Sequence, residues 1–123
     1  LSGDGGVDGG VDAEAGLLRP VFLQEVGYPS ATQNGSSPDQ QRAFFEALFQ
    51  ALATRRERFP FVSVNGLHDP PPSRCASEAA ALGVPGNGVA IAARCSFGLR
   101  TAAQTGKPAL DSVLGALADF STP

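Results

Sequence analysis

The sequence has no tryptophan, no methionine, one histidine (His68), one tyrosine (Tyr28) and two cysteines (Cys75 and Cys95) in 123 residues. Each scarcity narrows the chemistry. One histidine, two cysteines and scattered aspartates form no recognised zinc spacing, so no metal is expected. A serine triad has no Gly-x-Ser-x-Gly elbow to rest on. No glycine loop with Lys-Ser follows a strand, so no phosphate-bearing cofactor is expected either. With no second histidine to activate it, neither cysteine suits a nucleophile. Apolar runs stay well short of the roughly 20 residues that cross a bilayer, and no membrane partner is expected. Basic stripes are missing too. Four of the twelve acidic residues, Asp4, Asp8, Asp12 and Glu14, precede the first basic one, Arg19. The remaining eight acidic residues nearly balance nine basic ones, which argues against a nucleic-acid partner.

What remains is an ordinary globular composition, 42% hydrophobic and 17% charged, long enough for one modest domain. The chain opens Leu1-Ser2-Gly3-Asp4, with neither a basic start nor an apolar signal core, and is expected to be a fragment, a processed chain or a truncated reading frame. Residues 1–16 carry a near-tandem Asp-Gly-Gly-Val repeat. It reads as a flexible Gly/Asp-rich segment, because a calcium loop needs denser oxygen ligands. The domain proper spans 17–123.

Val21-Phe22-Leu23 and Val26 form an apolar, β-branched and aromatic run suited to a strand buried on both faces. Gly27-Tyr28-Pro29-Ser30 turns the chain away. A helix start follows, with Ser37 as N-cap, Pro38 as first helical residue, Asp39 in the first turn and Gln40 as capping-box partner. Phe45, Leu48, Phe49 and Leu52 recur at i, i+3, i+4 and i+7, the apolar stripe of a helix ending near Arg55. Arg55, Arg56 and Arg58 sit where cations meet the last carbonyls. A second strand runs Phe59–Leu67, interrupted by Asn65-Gly66, where a bulge or a close backbone approach is expected. Pro70-Pro71-Pro72 ends it. Strand, helix, strand at this spacing predicts a βαβ unit with parallel strands.

Residues 73–98 form a long excursion. Glu78–Leu82 fits a helical turn or two closed by Gly83, while Val89–Ala93 reads equally as strand or helix. Cys75 and Cys95 bracket the excursion and allow either one disulfide or two buried thiols; a disulfide would imply an exported, extracytoplasmic protein. A last helix is predicted from Pro108 to Ala118, with Leu110, Val113, Leu114 and Leu117 as its stripe. The fold class is thus α/β, built as two consecutive βα units.

Chemistry concentrates at the C-terminal ends of the two strands. Glu25, Tyr28, Asn65, His68 and Asp69 all belong there and are expected to share one cleft, with Glu25 partly desolvated and Tyr28 or His68 as its donor. Taken alone, Glu25 also fits a partnered rim carboxylate and His68 a turn-orienting residue.

These residues carry a resemblance. Leu23-Gln24-Glu25-Val26-Gly27-Tyr28-Pro29-Ser30 resembles the seventh-strand motif of clan A retaining glycoside hydrolases, which fold as (β/α)8 barrels. Pro60-Phe61-Val62-Ser63-Val64 leading to Leu67-His68-Asp69 resembles the eighth strand. Cys95-Ser96-Phe97-Gly98-Leu99-Arg100, then Gly106-Lys107-Pro108-Ala109-Leu110, resembles the segment introducing the eighth helix. The resemblance covers about residues 17–115. It implies a partial TIM barrel with Glu25 as the catalytic nucleophile, Tyr28, Asn65, His68 and Asp69 as sugar-positioning residues, and a carbohydrate partner. Retaining chemistry needs a second carboxyl about 5–5.5 Å away. The family takes it from an Asn-Glu pair that this chain lacks, and Asp69 follows the wrong strand to replace it. The chain by itself is therefore expected to be inactive, with the missing part of the barrel as a further partner. The alternative is a non-catalytic carbohydrate-binding or interaction protein derived from a glycosidase.

Overall fold

A computed structural model describes residues 19–121. The Asp-Gly-Gly-Val repeat lies outside them. Two strands, β1 (Phe22–Val26) and β2 (Phe61–Val64), pair in parallel, Phe22 beside Phe61 and Leu23 beside Val62. Four helices accompany them: α1 (Pro38–Ala53), α2 (Pro72–Ala81), α3 (Gly88–Arg94) and α4 (Pro108–Phe120), with a 3-10 turn at Thr32–Asn34. The protein is a mixed α/β structure, and the parallel strand–helix–strand unit is present as expected.

The start of α1 follows its sequence signals. Ser37 is the N-cap, its Oγ accepting from the Gln40 N–H at 3.0 Å, and Pro38 occupies the first turn. Phe45, Phe49 and Leu52 are buried, with Leu48 packed against them. At the other end Arg55 donates to Ala51 O, on its own helix. Arg56 instead reaches the last carbonyls of α4, donating to Asp119 O and Phe120 O, with its guanidinium 5.1 Å from the Phe120 ring centroid. One cation thus caps a neighbouring helix, where it meets the same partial negative charge.

The core lies between α1, α4 and the sheet. Phe45, Phe49, Leu52, Leu99, Ala109 and Val113 form its centre, and Leu23, Val26, Val62 and Val64 pack against it. Leu110, Val113 and Leu117 of the expected α4 stripe lie in or against the core, and Leu114 does not. Ala109 and Val113 are buried and Ala116, Leu117 and Phe120 join the cluster, while Leu114 is 52% exposed. The helix packs on α1. Burial of the strands on both faces also fails. Phe22 is 59% and Phe61 46% exposed, since among the described residues the sheet has two strands and helices cover only part of it.

The excursion resolves as two helices. Val89–Ala93 lies in α3, whose N-cap Asn87 accepts from the Ala90 N–H at 2.9 Å. The triproline that ends the strand also starts α2, with Pro72 in its first turn. Cys75 and Cys95 form a disulfide between α2 and the end of α3, closing a loop of 20 residues. In the loop-entropy account that contributes about 3 kcal/mol. No described helix is long and apolar enough to cross a membrane.

Candidate functional site

Glu25 lies where the parallel ladder loses its register. Leu23 pairs with Val62, but Val26 pairs with Val64, so three residues of β1 are matched by two of β2. Glu25 takes up the difference with φ at 59°, in the left-handed region. An L-residue there loses about 1–2 kcal/mol, and such strain persists where surrounding structure enforces it. The break re-aims the side chain, and Glu25 is exposed. Its expected desolvation is therefore corrected: a register break turns the carboxylate outward from the sheet. Replacing Glu25 by glycine is expected to stabilise the fold by about 0.5–1 kcal/mol, after the greater unfolded-state entropy of glycine is deducted. Glu25→Ala keeps the left-handed penalty and is not expected to stabilise. Urea midpoints of the two variants check this, and Glu25→Gly falling below Glu25→Ala would show the backbone to be unstrained.

Beyond β1 the chain is held by a buried polar hub. Gln41, fully buried on α1, points Nε2 at four carbonyls: Tyr28 O at 2.9 Å, Gly98 O at 3.2 Å, Phe97 O at 3.3 Å and Ser96 O at 3.4 Å. Two amide protons are shared among these acceptors. Gln41 Oε1 is buried without a donor. Ser30 and Ser96 bind each other through Ser30 N to Ser96 O at 3.1 Å and Ser30 Oγ to Ser96 O at 3.2 Å. The ring of Tyr28 stacks on Phe44 with centroids 4.5 Å apart and packs against the core. Its face is thus spent on protein.

Asp69 anchors the second strand's exit. Its Oδ2 is 2.9 Å from Lys107 Nζ, and its Oδ1 accepts from Lys107 Nζ at 2.9 Å and from the Gly98 N–H at 2.8 Å. Lys107 donates further to Ser30 Oγ at 3.1 Å and Ser96 O at 3.2 Å. Side-chain exposure is 7% for Lys107 and 12% for Asp69, so this is a buried, fully hydrogen-bonded ion pair. Around it a short ladder joins Leu99 N to Gly66 O, Arg100 N to Leu67 O, Asp69 N to Arg100 O and Lys107 N to Leu99 O. At Asn65-Gly66 the backbone turns through Gly66 at φ 93°, in the left-handed region that favours glycine, and runs beside the 98–99 segment, where Leu99 N donates to Gly66 O.

A cavity of about 430 Å³ opens between this exit and the excursion. Asn65, His68, Asp69, Arg74, Glu78 and Arg94 contribute its polar wall, and Phe97, Pro70 and Pro71 its apolar one. Of the five residues expected in one cleft, the structure brings Asn65, His68 and Asp69 together there. Glu25 and Tyr28 are not among the lining residues. The two residues after Glu25 meet cavity-lining residues: Asn65 N donates to Val26 O at 2.7 Å, and Gly27 lies against Phe97 and Asn65. His68 is exposed, and Asp69 is occupied by Lys107.

Sequence reasoning missed Gln41, Lys107, Arg74 and Arg94. Gln41 stands four residues before Phe45, on the same helical face, so a polar residue extending an apolar stripe was its available signal. Lys107 shows none, since its partner lies 38 residues away. Among the described residues no group of three His, Cys, Asp or Glu side chains comes close enough together to hold a metal ion. Comparison with known proteins finds no matching family model, no matching curated protein and no matching solved structure.

Proposed function

We propose that this chain is the C-terminal part of a (β/α)8 retaining glycoside hydrolase, with Glu25 as the nucleophile that would form the glycosyl-enzyme bond. The observation that carries the proposal is Glu25 itself, an exposed carboxylate held in a strained conformation at the C-terminal end of a parallel strand. That is the end of an α/β sheet where chemistry is done. The exposed apolar residues of the sheet, Phe22 and Phe61, support a larger barrel in which further strands cover them. The Cys75–Cys95 disulfide supports an extracytoplasmic setting.

In this reading Glu25 attacks the anomeric carbon, and a carboxylic acid from the remainder of the barrel protonates the departing oxygen. Asp69 does not supply that acid, because Lys107 and the Gly98 amide hold both its oxygens. Asn65 and His68 face the sugar from the cavity, while Tyr28 contributes through its backbone to the placement of the loop. The isolated chain is expected to release no product from aryl glycosides. The chain joined to the polypeptide encoded upstream is expected to hydrolyse a β-glycoside and to trap a 2-fluoro glycoside covalently on Glu25, read by peptide mass spectrometry. Turnover that survives Glu25→Gln would sink the assignment.

One observation favours a second reading, a carbohydrate-binding protein without catalysis. The cavity is formed by residues of the exit and the excursion and does not include Glu25. Oligosaccharide binding by the chain alone, unchanged in Glu25→Gln and without any hydrolysis in the joined polypeptide, would decide for it.

A further inference from the structure

We infer that the cavity between the end of β2 and the α2–α3 excursion is a binding site for a carboxylated sugar, with Arg74 and Arg94 as the clamp for its carboxylate. The inference deepens the carbohydrate reading and rests on it for the sugar; the choice of an acidic one rests on the cavity's own charges.

Two guanidinium groups from different helices meet on one glutamate. Arg94 Nε and Nη2 both lie 3.1 Å from Glu78 Oε1, and Arg74 Nε lies 3.5 Å from Glu78 Oε2. One carboxylate therefore faces two cations. The other acidic group of the wall, Asp69, is already neutralised by Lys107. One positive charge is left uncompensated in a concave site, although the chain as a whole has a formal charge of −3. Both terminal nitrogens of Arg74 and Nη1 of Arg94 have no acceptor among the described residues. Planar guanidinium forks with free donors match a carboxylate.

The rest of the wall suits a saccharide. Asn65, His68 and Gln104 offer hydrogen bonds, and Phe97, Pro70 and Pro71 offer apolar surface for a sugar's C–H face. Gln104, on this wall, is held at φ 68°, in the left-handed region. The volume falls within the roughly 300–1,000 Å³ common for small-ligand pockets. The disulfide ties α2 to the end of α3 and so fixes the spacing between the two arginines before any ligand arrives.

The test is a titration of the full chain, followed by amide NMR shifts, with digalacturonate, its dimethyl ester and inorganic phosphate. Digalacturonate is expected to move the amides of residues 65–69 and 94–104. Its dimethyl ester, alike in shape but uncharged, is expected to bind at least tenfold more weakly, and phosphate more weakly than the sugar acid. Arg74→Gln and Arg94→Gln should each weaken digalacturonate about tenfold. Arg74 is 69% exposed, so its variant keeps the fold even if loss of the Arg94 contact loosens the excursion. Equal binding of the ester, phosphate matching the sugar acid, no binding at all, or indifference to Arg74→Gln would each overturn the inference. Hydrolysis of a neutral glycoside with no digalacturonate binding would overturn it while leaving the role of Glu25 intact.

Discussion

Lys107→Met is expected to destabilise the protein by about 3–5 kcal/mol, enough to unfold much of a domain whose total stability is of the usual 5–15 kcal/mol. The substitution keeps most of the aliphatic stem, so the loss is electrostatic. It strands the Asp69 carboxylate, 12% exposed, with the Gly98 amide as its remaining donor, and it removes the donor that Ser30 Oγ and Ser96 O share. An unpaired buried charge is costly because its hydration is gone and nothing replaces it.

The companion variant separates charge from packing. Asp69→Asn keeps an acceptor for the Gly98 N–H but removes the negative charge. Combined with Lys107→Met it should recover part of the loss, because no buried charge is then left alone. A double-mutant cycle in urea should show coupling of at least about 1 kcal/mol, the range for directly contacting groups. Additive losses would mean that the pair is solvated and that the hub is held by Gln41 and the serines instead. Site chemistry should follow stability here: the pair locks Gly98, and with it Phe97, which lines the cavity and lies against Gly27.

Residues whose structure is set by their near neighbours were legible in the sequence. Ser37-Pro38 and the Phe45–Leu52 stripe specify α1, because capping and amphipathic spacing act within a few turns. The parallel pairing of β1 and β2 follows from one intervening helix, whereas two cysteines in one excursion left a disulfide and two thiols open until the structure joined them. Long-range choices were not legible. Burial of Phe22 and Phe61 depends on which elements lie beside the sheet, and a strand's own residues carry no record of that. The face α4 buries was legible at Leu110, Val113 and Leu117, which reach the core, but not at Leu114, which is exposed while Ala109 is buried. Glu25 was legible as a carboxylate at a strand end; its outward turn comes from a register break that depends on β2. Asp69 stands at the expected place, but its partner comes from the loop before α4, and pattern along the chain cannot see a contact 38 residues off.

Gly98→Ala carries the largest steric penalty that the described glycines allow. A Cβ at Gly98 would stand 2.3 Å from Asp69 N, 2.4 Å from His68 C and 2.7 Å from Asp69 Oδ1. Two of these are backbone atoms in a ladder closed by Leu99 N to Gly66 O and Asp69 N to Arg100 O, so neither strand can retreat without breaking bonds. The expected cost exceeds about 4 kcal/mol, the range reserved for strain and broken buried networks. Gly115→Ala is the control with the opposite sign. It lies inside α4 with nothing within 4 Å of the new methyl group, and exchanging a helical glycine for alanine stabilises by about 0.5–1 kcal/mol. Thermal unfolding of both variants measures the contrast. If the two alanines shift the midpoint alike, the close crossing of the 66–69 and 98–100 segments is not rigid. The cavity wall they form would then yield to a methyl group, and it could not hold Asn65, His68 and Phe97 in fixed positions for a ligand.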